Sequence, residues 1–306
     1  MSESEEKKLR IEPAQWWLIA FVVAAICASV LYRRLIGNPY GHTSAMFIGV
    51  PAVLAILLAL TPKARTLTGG MMKGITLALL VIAPLLGEGY VCILFASPLF
   101  YLVGLLIAVP VDMARKRDRG GQTLSCIVLL LVPICLEGVI PQLTFPRTES
   151  VEVTKIVHAP ATSIERALSE SPRIGTRLPG FLRIGFPRPL AATGYGLNVG
   201  AERSILFSGA EGDPPGFLVM RVAERGPAYV RFETVSDGSK PTQWIRWDAS
   251  EVMWSPVDSE HTRVTWRVRF DRQLDPAWYF APWERAAARE AAEYLIDANA
   301  TPMGRR

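Results

Sequence analysis

The pattern of apolar residues changes near Pro146, and this change constrains the fold more than any other feature of the sequence. Before it, several apolar runs approach the length of about 20 residues at which an α-helix crosses the core of a bilayer. After it, short segments alternate between apolar and polar residues, as strands do when one face of a sheet is buried. The pattern predicts a helical transmembrane region over residues 1–147 and an α+β domain over residues 148–306.

Five apolar segments of the first part are predicted to span the membrane. The run from Gly74 to Val111 is too long for one crossing, so we divide it at Gly87-Glu88-Gly89. The predicted spans cover about residues 15–32, 43–60, 74–87, 91–111 and 123–140. One long helix over residues 74–111 is the alternative, and it gives four spans.

Basic residues in the loops favour five spans. On one side lie Lys7, Lys8, Arg10, Lys63, Arg65, Lys73, Arg115, Lys116, Arg117 and Arg119, whereas the other side holds Arg33 and Arg34. Because positive loops stay in the cytoplasm, we expect the N-terminus to be cytoplasmic and the second part extracytoplasmic, in a multi-pass protein of the bacterial inner membrane.

A repeated motif places two carboxylates at similar positions. Gly74-Ile75-Thr76-Leu77 leads to Glu88-Gly89, and Gly121-Gln122-Thr123-Leu124 leads to Glu137-Gly138. Both glutamates are predicted near the outer face of the membrane. They are either solvated interfacial groups or functional membrane carboxylates, since an unpaired carboxylate is costly to bury.

Charge and motifs exclude several function classes. The net charge of +5 comes from the first part, where basic residues flank apolar segments, so it indicates topology and we expect no nucleic-acid partner. His42, His158 and His261 are scattered without paired carboxylates, and no nucleotide fingerprint occurs. We therefore expect no metal and no cofactor.

The sequence of the second part predicts an antiparallel sheet that packs against a C-terminal helix. A final helix is predicted after Asp275, which we expect to cap it, with an apolar stripe at Ala287, Ala291, Tyr294, Leu295 and Ala298. Residues 171–200 are rich in Gly, Pro and Arg and are predicted as turns and a short helix. The predicted strands cover about residues 150–158, 203–208, 216–223, 228–235, 242–248, 251–256 and 262–271.

This order of elements resembles the helix-grip fold of the START-like superfamily, also called the SRPBCC or polyketide cyclase/dehydrase-like superfamily. The resemblance covers about residues 148–298 and is carried by Val153–Pro160, Asn198–Arg203, Leu274–Phe280 and Tyr294-Leu295-Ile296. It implies a curved antiparallel sheet wrapped on a long C-terminal helix, with a hydrophobic ligand such as a lipid, polyketide or sterol-like molecule between them. It implies no fixed set of catalytic residues.

Aromatic and apolar residues of the strands are the candidates for the ligand wall. The same residue types build plain cores, so two interpretations stay open. The predicted lining residues are Phe207, Met220, Phe232, Trp266 and Trp278.

Taken together, the sequence predicts a membrane-anchored binding protein for a hydrophobic, lipid-like molecule, whose partners are membrane lipids or another apolar small molecule. One alternative is a cyclase- or hydrolase-type enzyme that uses Tyr195, Glu233 or Asp248 as acid or base. A second alternative is a sensor or transporter that acts through the membrane half.

Overall fold

The computed structural model describes single positions between residues 13 and 27 and the ranges 50–61, 64–86, 90–115, 136–174, 178–184, 186–209 and 214–300. The chain divides into two compact units, Met1–Leu131 and Val132–Arg306.

The first unit contains helices α1 (Val50–Leu60), α2 (Leu67–Leu86) and α3 (Tyr90–Arg115). Helices α2 and α3 pack antiparallel. The backbone amides of Leu67 and Thr68 donate to the Asp112 carboxylate at 3.0 and 2.9 Å. The hydroxyls of Thr76 and Tyr101 lie 2.7 Å apart. Asp112 thus satisfies free amides at the start of α2.

Within the described residues, one helical segment is long and apolar enough to cross a membrane, Ile93–Arg115, and α2 contains a shorter apolar segment, Leu67–Val81. Helices α2 and α3 coincide approximately with the predicted third and fourth spans, and α1 with the second half of the predicted second span. Glu88 and most of the first and fifth predicted spans lie outside the described residues. The multi-span topology stays a prediction.

The second unit is a seven-stranded, fully antiparallel sheet that curls around a helix, which confirms the α+β architecture predicted for residues 148–306. The strand order is β1-β7-β6-β5-β4-β3-β2, so the first strand lies beside the last. The strands are β1 (Thr148–Val157), β2 (Pro189–Thr193), β3 (Glu202–Phe207), β4 (Gly216–Gly226), β5 (Tyr229–Asp237), β6 (Ile245–Pro256) and β7 (Thr262–Arg272). A short helix α4 (Ala161–Ser169) follows β1, and α5 (Ala277–Ala300) ends the described fold.

Two strand predictions were wrong in detail. Most residues of the segments predicted at 242–248 and 251–256 form the single strand β6, which begins at Ile245 and whose register against β7 shifts between Trp247 and Ala249. Such a bulge inserts one residue and interrupts the period of two, so the sequence of one strand shows the pattern of two separate strands. The stretch predicted to be irregular contains β2, which pairs with β3 at the sheet edge.

The described core lies between the inner face of the sheet and α5. Alternate residues of β7 are buried, including Val264, Val268 and Phe270, and they face Ala292 and Ile296 of the helix in one cluster. Val, Phe and Ala side chains in these positions give the sheet and helix their apolar contact faces.

A polar cluster joins β1, β7 and the start of α5. The Arg272 side chain is 1% exposed and lies 3.3 Å from the Glu149 carboxylate. Its guanidinium donates to the carbonyl oxygens of Pro146 and Leu274, both at 3.2 Å. Arg147 forms an ion pair with Asp275. A buried cation is thus matched by nearby oxygens.

Glu137, which precedes β1 in the chain, caps α5. Glu137 Oε1 accepts a hydrogen bond of 2.9 Å from the backbone amide of Ala277, the first residue of the helix. Asp275, the predicted cap, pairs with Arg147 instead. The distant glutamate therefore satisfies a free amide that a residue beside the helix was expected to satisfy.

We expect Arg272→Met to lower the free energy of unfolding of the second unit by about 3 kcal/mol, because the carbonyl oxygens of Pro146 and Leu274 would lose their donor and Glu149 would keep only the exposed Arg285 as a cation. The measurement is urea unfolding of the full chain, followed by tryptophan fluorescence. The matched control is Arg246→Met. Arg246 pairs with Asp271 at 2.7 Å, but its side chain is 62% exposed, so its loss should cost less than about 1 kcal/mol. Equal effects of the two substitutions would contradict the buried-cluster interpretation.

Candidate ligand-binding cavity

A cavity of about 160 Å³ lies between the inner face of the sheet and α5. Its walls come from every strand from β2 to β7, from α5 and from the segment between α4 and β2. The lining residues are Pro172, Ile174, Leu178, Leu182, Phe186, Pro187, Pro189, Arg203, Ile205, Phe207, Leu218, Met220, Phe232, Asp237, Ser239, Pro241, Trp244, Ile245, Trp247, Ser250, Trp266, Ala287, Ala288, Ala291, Tyr294, Leu295 and Asn299. An apolar wall with few polar groups is typical of sites for small hydrophobic molecules.

The structure brings four of the five predicted lining residues to this cavity: Phe207, Met220, Phe232 and Trp266. Trp278 does not line it and is 50% exposed. Trp278 lies nine residues before the lining residue Ala287, and at about 100° per residue nine steps end on the opposite face of a helix. The first turn of α5 therefore directs this ring away from the sheet.

The predicted apolar stripe of α5 forms one wall of the cavity. Ala287, Ala291, Tyr294 and Leu295 line it, whereas Ala298 is buried but lies outside the lining. The alanines at 287, 288 and 291 matter most, because their short side chains leave space that larger residues would fill.

Sequence reasoning missed the contribution of the irregular stretch and of the segment before β6. Phe186 and Trp244 both line the cavity, and their ring centroids lie 5.6 Å apart in an edge contact. Phe181 extends this contact, with centroid distances of 5.7 Å to Phe186 and 6.4 Å to Trp283 on α5. The alternation of aromatic and proline residues in this stretch was the available signal, but it has no period that a strand or helix would impose.

Arg203 is the charged group most deeply buried in the wall. It is 5% exposed, and its guanidinium lies 4.7 Å from the centre of the Phe232 ring. Its Nη2 donates to the carbonyl oxygen of Leu168 and, at 3.4 Å, to that of Gly196. No carboxylate of the described residues pairs with it, and its Nε has no hydrogen-bond partner there. Burial lowers the pKa of Arg203 to about 10, so the group remains a cation at neutral pH.

Two other buried polar atoms in the wall have no hydrogen-bond partner among the described residues. They are the indole Nε1 of Trp266, a donor, and the Oδ1 of Asn299, an acceptor. Trp247 differs, because its Nε1 donates to Ser250 Oγ at 3.0 Å. The carboxylate of Asp237 accepts from the backbone amide and hydroxyl of Ser239, at 2.9 and 2.6 Å.

The residues named for the enzyme alternative do not line the cavity. Tyr195 is 84% exposed, Glu233 pairs with Arg231 at 2.8 Å, and Asp248 pairs with Arg269. A buried carboxyl does occur at Glu284 on α5, but it also lies outside the lining and accepts the backbone amides of Gln273 and Leu274.

Two of the histidines meet at the surface. Pairing of β1 with β7 brings His158 Nδ1 to 3.1 Å from His261 Nε2, and His261 Nδ1 lies 2.9 Å from the Asp258 carboxylate. Both rings lie outside the cavity lining. Among the described ranges, no group of three His, Cys, Asp or Glu side chains is arranged to hold a metal ion.

Comparison with solved structures gives matches over the C-terminal half of the chain. The di-domain ARO/CYC BexL from the BE-7585A biosynthetic pathway is 16% identical with a TM-score of 0.33, and the match covers 49% of this chain and 45% of that one. The Zhui aromatase/cyclase from Streptomyces sp. R1128 is 14% identical with a TM-score of 0.30 and coverage of 50% and 86%. A START superfamily protein from Mycobacterium smegmatis is 13% identical with a TM-score of 0.34 and coverage of 49% and 92%. No protein-family model and no curated protein matches the chain.

We expect the stability of the second unit to depend on the protonation of Glu284. Burial is the main cause that raises the pKa of this carboxyl above its usual value of 4.5. The folded state therefore favours the protonated form, and stability falls as the pH rises above 4.5 and the buried group ionises.

Glu284→Gln should consequently gain stability relative to the wild type as the pH is raised from about 4 to about 7. The measurement is the free energy of unfolding of both proteins across this range. Glu260→Gln, in the exposed turn before β7, is the control and should show no such trend. A difference between Glu284→Gln and wild type that stays constant with pH would contradict the prediction.

Proposed function

We propose that the protein is a membrane-anchored binding protein that holds a small hydrophobic molecule in the cavity between its curled sheet and α5. The observation that carries the proposal is this cavity, which is walled almost entirely by apolar side chains. A core filled to normal density would leave little space at this position.

The size of the cavity limits what it encloses. A protein cavity of about 150 Å³ holds a benzene molecule. A volume of about 160 Å³ therefore suits one ring or a short alkyl chain. A whole two-chain lipid is too large, so the enclosed ligand is a compact apolar molecule or one end of a longer one.

Membrane anchoring is supported by the hydropathy of Ile93–Arg115 and by the distribution of basic residues in the first part. On this proposal the protein is a multi-pass component of a bacterial inner membrane, with its N-terminus in the cytoplasm and its binding domain outside. The enzyme alternative has less support, because Tyr195, Glu233 and Asp248 lie outside the cavity lining.

Extraction of bound molecules from the full chain tests the binding function. We expect organic extracts of purified protein, analysed by mass spectrometry, to contain a small apolar compound. Ala291→Phe should remove it, since Ala291 lines the cavity. Ala286→Phe is the control on the same helix, because Ala286 is not a lining residue. Identical extracts from the wild type and Ala291→Phe would contradict the function.

Reporter fusions test the topology separately. Alkaline phosphatase fused after Arg306 should be active, and green fluorescent protein at the same position should be dark, if the second part is extracytoplasmic. A fusion to the N-terminus should behave in the opposite way. A bright C-terminal fluorescent fusion would overturn the proposed orientation and leave the cavity proposal unaffected.

A further inference from the structure

We propose that the ligand of the cavity is an amphipathic acid, with a compact apolar body and one anionic group that binds Arg203. This inference rests on the proposed binding function and specifies its ligand class.

The first argument is the incomplete environment of Arg203. Arg203 is 5% exposed, and a guanidinium in such a buried residue is unfavourable unless an anion or several acceptors replace its water. In the described structure two carbonyl oxygens share Nη2 and the Phe232 ring covers one face. These contacts leave Nε without an acceptor.

The second argument is the additional unpaired donor in the same wall. Trp266 lines the cavity, and its indole Nε1 has no acceptor among the described residues. The guanidinium Nε and the indole Nε1 each require an acceptor oxygen. Arg203 is on β3 and Trp266 on β7, four strands apart, so we assign the anionic group to Arg203 and a second oxygen of the ligand to the indole. The acceptor Asn299 Oδ1 adds a place for a hydroxyl of the same ligand.

The third argument is the separation of charge along the cavity. Arg203 contacts Leu168, and Asn299 follows Ala298, whose carbonyl oxygen accepts the amide of Arg173 at 3.2 Å. Arg203 thus binds the last turn of α4, and the residue before Asn299 binds the segment that follows α4.

The one carboxylate in the lining is at the other end. Asp237 lies opposite Leu218, which lies opposite Ile205, so its Cα is two strands and two residues away from that of Arg203, about 12 Å. Apolar side chains occupy the wall between them. An anion at Arg203 therefore places an apolar body along the rest of the cavity.

Three probes with the same 4-ethylphenyl body test the proposal: 4-ethylbenzoate, its neutral amide 4-ethylbenzamide, and 4-ethylphenyl phosphate. Each is titrated calorimetrically into the full chain in nanodiscs, with empty nanodiscs subtracted. We expect the benzoate to bind at least about tenfold more tightly than the amide, because a charge-assisted hydrogen bond in a buried site is stronger than a neutral one by about this factor in affinity. The phosphate arm shows whether the site prefers a phosphate or a carboxylate.

Substitution of Arg203 assigns the effect to this residue. Arg203→Met should give benzoate and amide equal affinity, and Arg203→Lys, which keeps the cation, should retain part of the preference. Arg221→Met is the control, because Arg221 is an exposed arginine of β4 that pairs with Glu202 at 2.6 Å, and it should keep the full preference. Since Arg203 also bonds to Leu168, Arg203→Met endangers folding, and the comparison of the probes on the wild type is decisive by itself.

The outcomes separate the two proposals. Equal affinity of the wild type for benzoate and amide overturns the acidic ligand and leaves the hydrophobic cavity function standing. A preference for benzoate that survives Arg203→Met also overturns the assignment to Arg203. Absence of binding by all three probes, together with empty organic extracts, overturns the binding function and the acidic ligand together.

Discussion

The pairing of β1 with β7 is the contact on which the second unit depends. This pairing places the first strand of the domain beside its last strand, more than a hundred residues later in the chain. Because β7 leads directly into α5, the same pairing fixes the origin of the helix relative to the sheet. Glu149 on β1 and Arg272 on β7 meet there, where Arg272 is buried and Glu149 is half-buried. The cavity exists because the sheet curls around a helix whose position is fixed at this junction.

The ends of α5 are held in different ways, and the cavity lies alongside the part between them. At its start, Glu137 caps the first amide and Glu284 binds the two amides that precede the helix. At its end, the carbonyl oxygen of Ala298 accepts the amide of Arg173. These polar contacts orient the helix without filling the interior, so they leave the apolar face of α5 to define the cavity wall.

Much of this arrangement could be predicted from the sequence, because it depends on local periods. Alternation in β7 and the stripe on α5 both identified faces that are buried in the structure, and four predicted lining residues meet at the cavity. The prediction that Trp278 lines the cavity was wrong because it used the residue type and ignored the direction of the side chain around the helix axis. The bulge at Trp247 divided one strand into two in the prediction, since an inserted residue shifts the period.

Long-range contacts were beyond such reasoning. The sequence placed Arg203 in a predicted strand and in a segment that resembles a family, but it did not predict a buried cation. No local pattern shows that an arginine will be buried without a carboxylate. The cap on α5 comes from Glu137, a residue 140 positions away in sequence. Pairings of this kind depend on the closed fold and on which polar groups remain unsatisfied in it.

The alanines of α5 have a consequence for how such a site changes over evolution. On the proposed function, the ligand volume is set by Ala287, Ala288 and Ala291 on one helix, whereas the buried cation comes from β3 on the opposite wall. Exchanging an alanine for a larger residue would narrow the range of accepted shapes and leave the cation in place. If the proposed ligand is correct, selectivity for its size and selectivity for its charge are therefore separable, and a single substitution would alter one without disturbing the other.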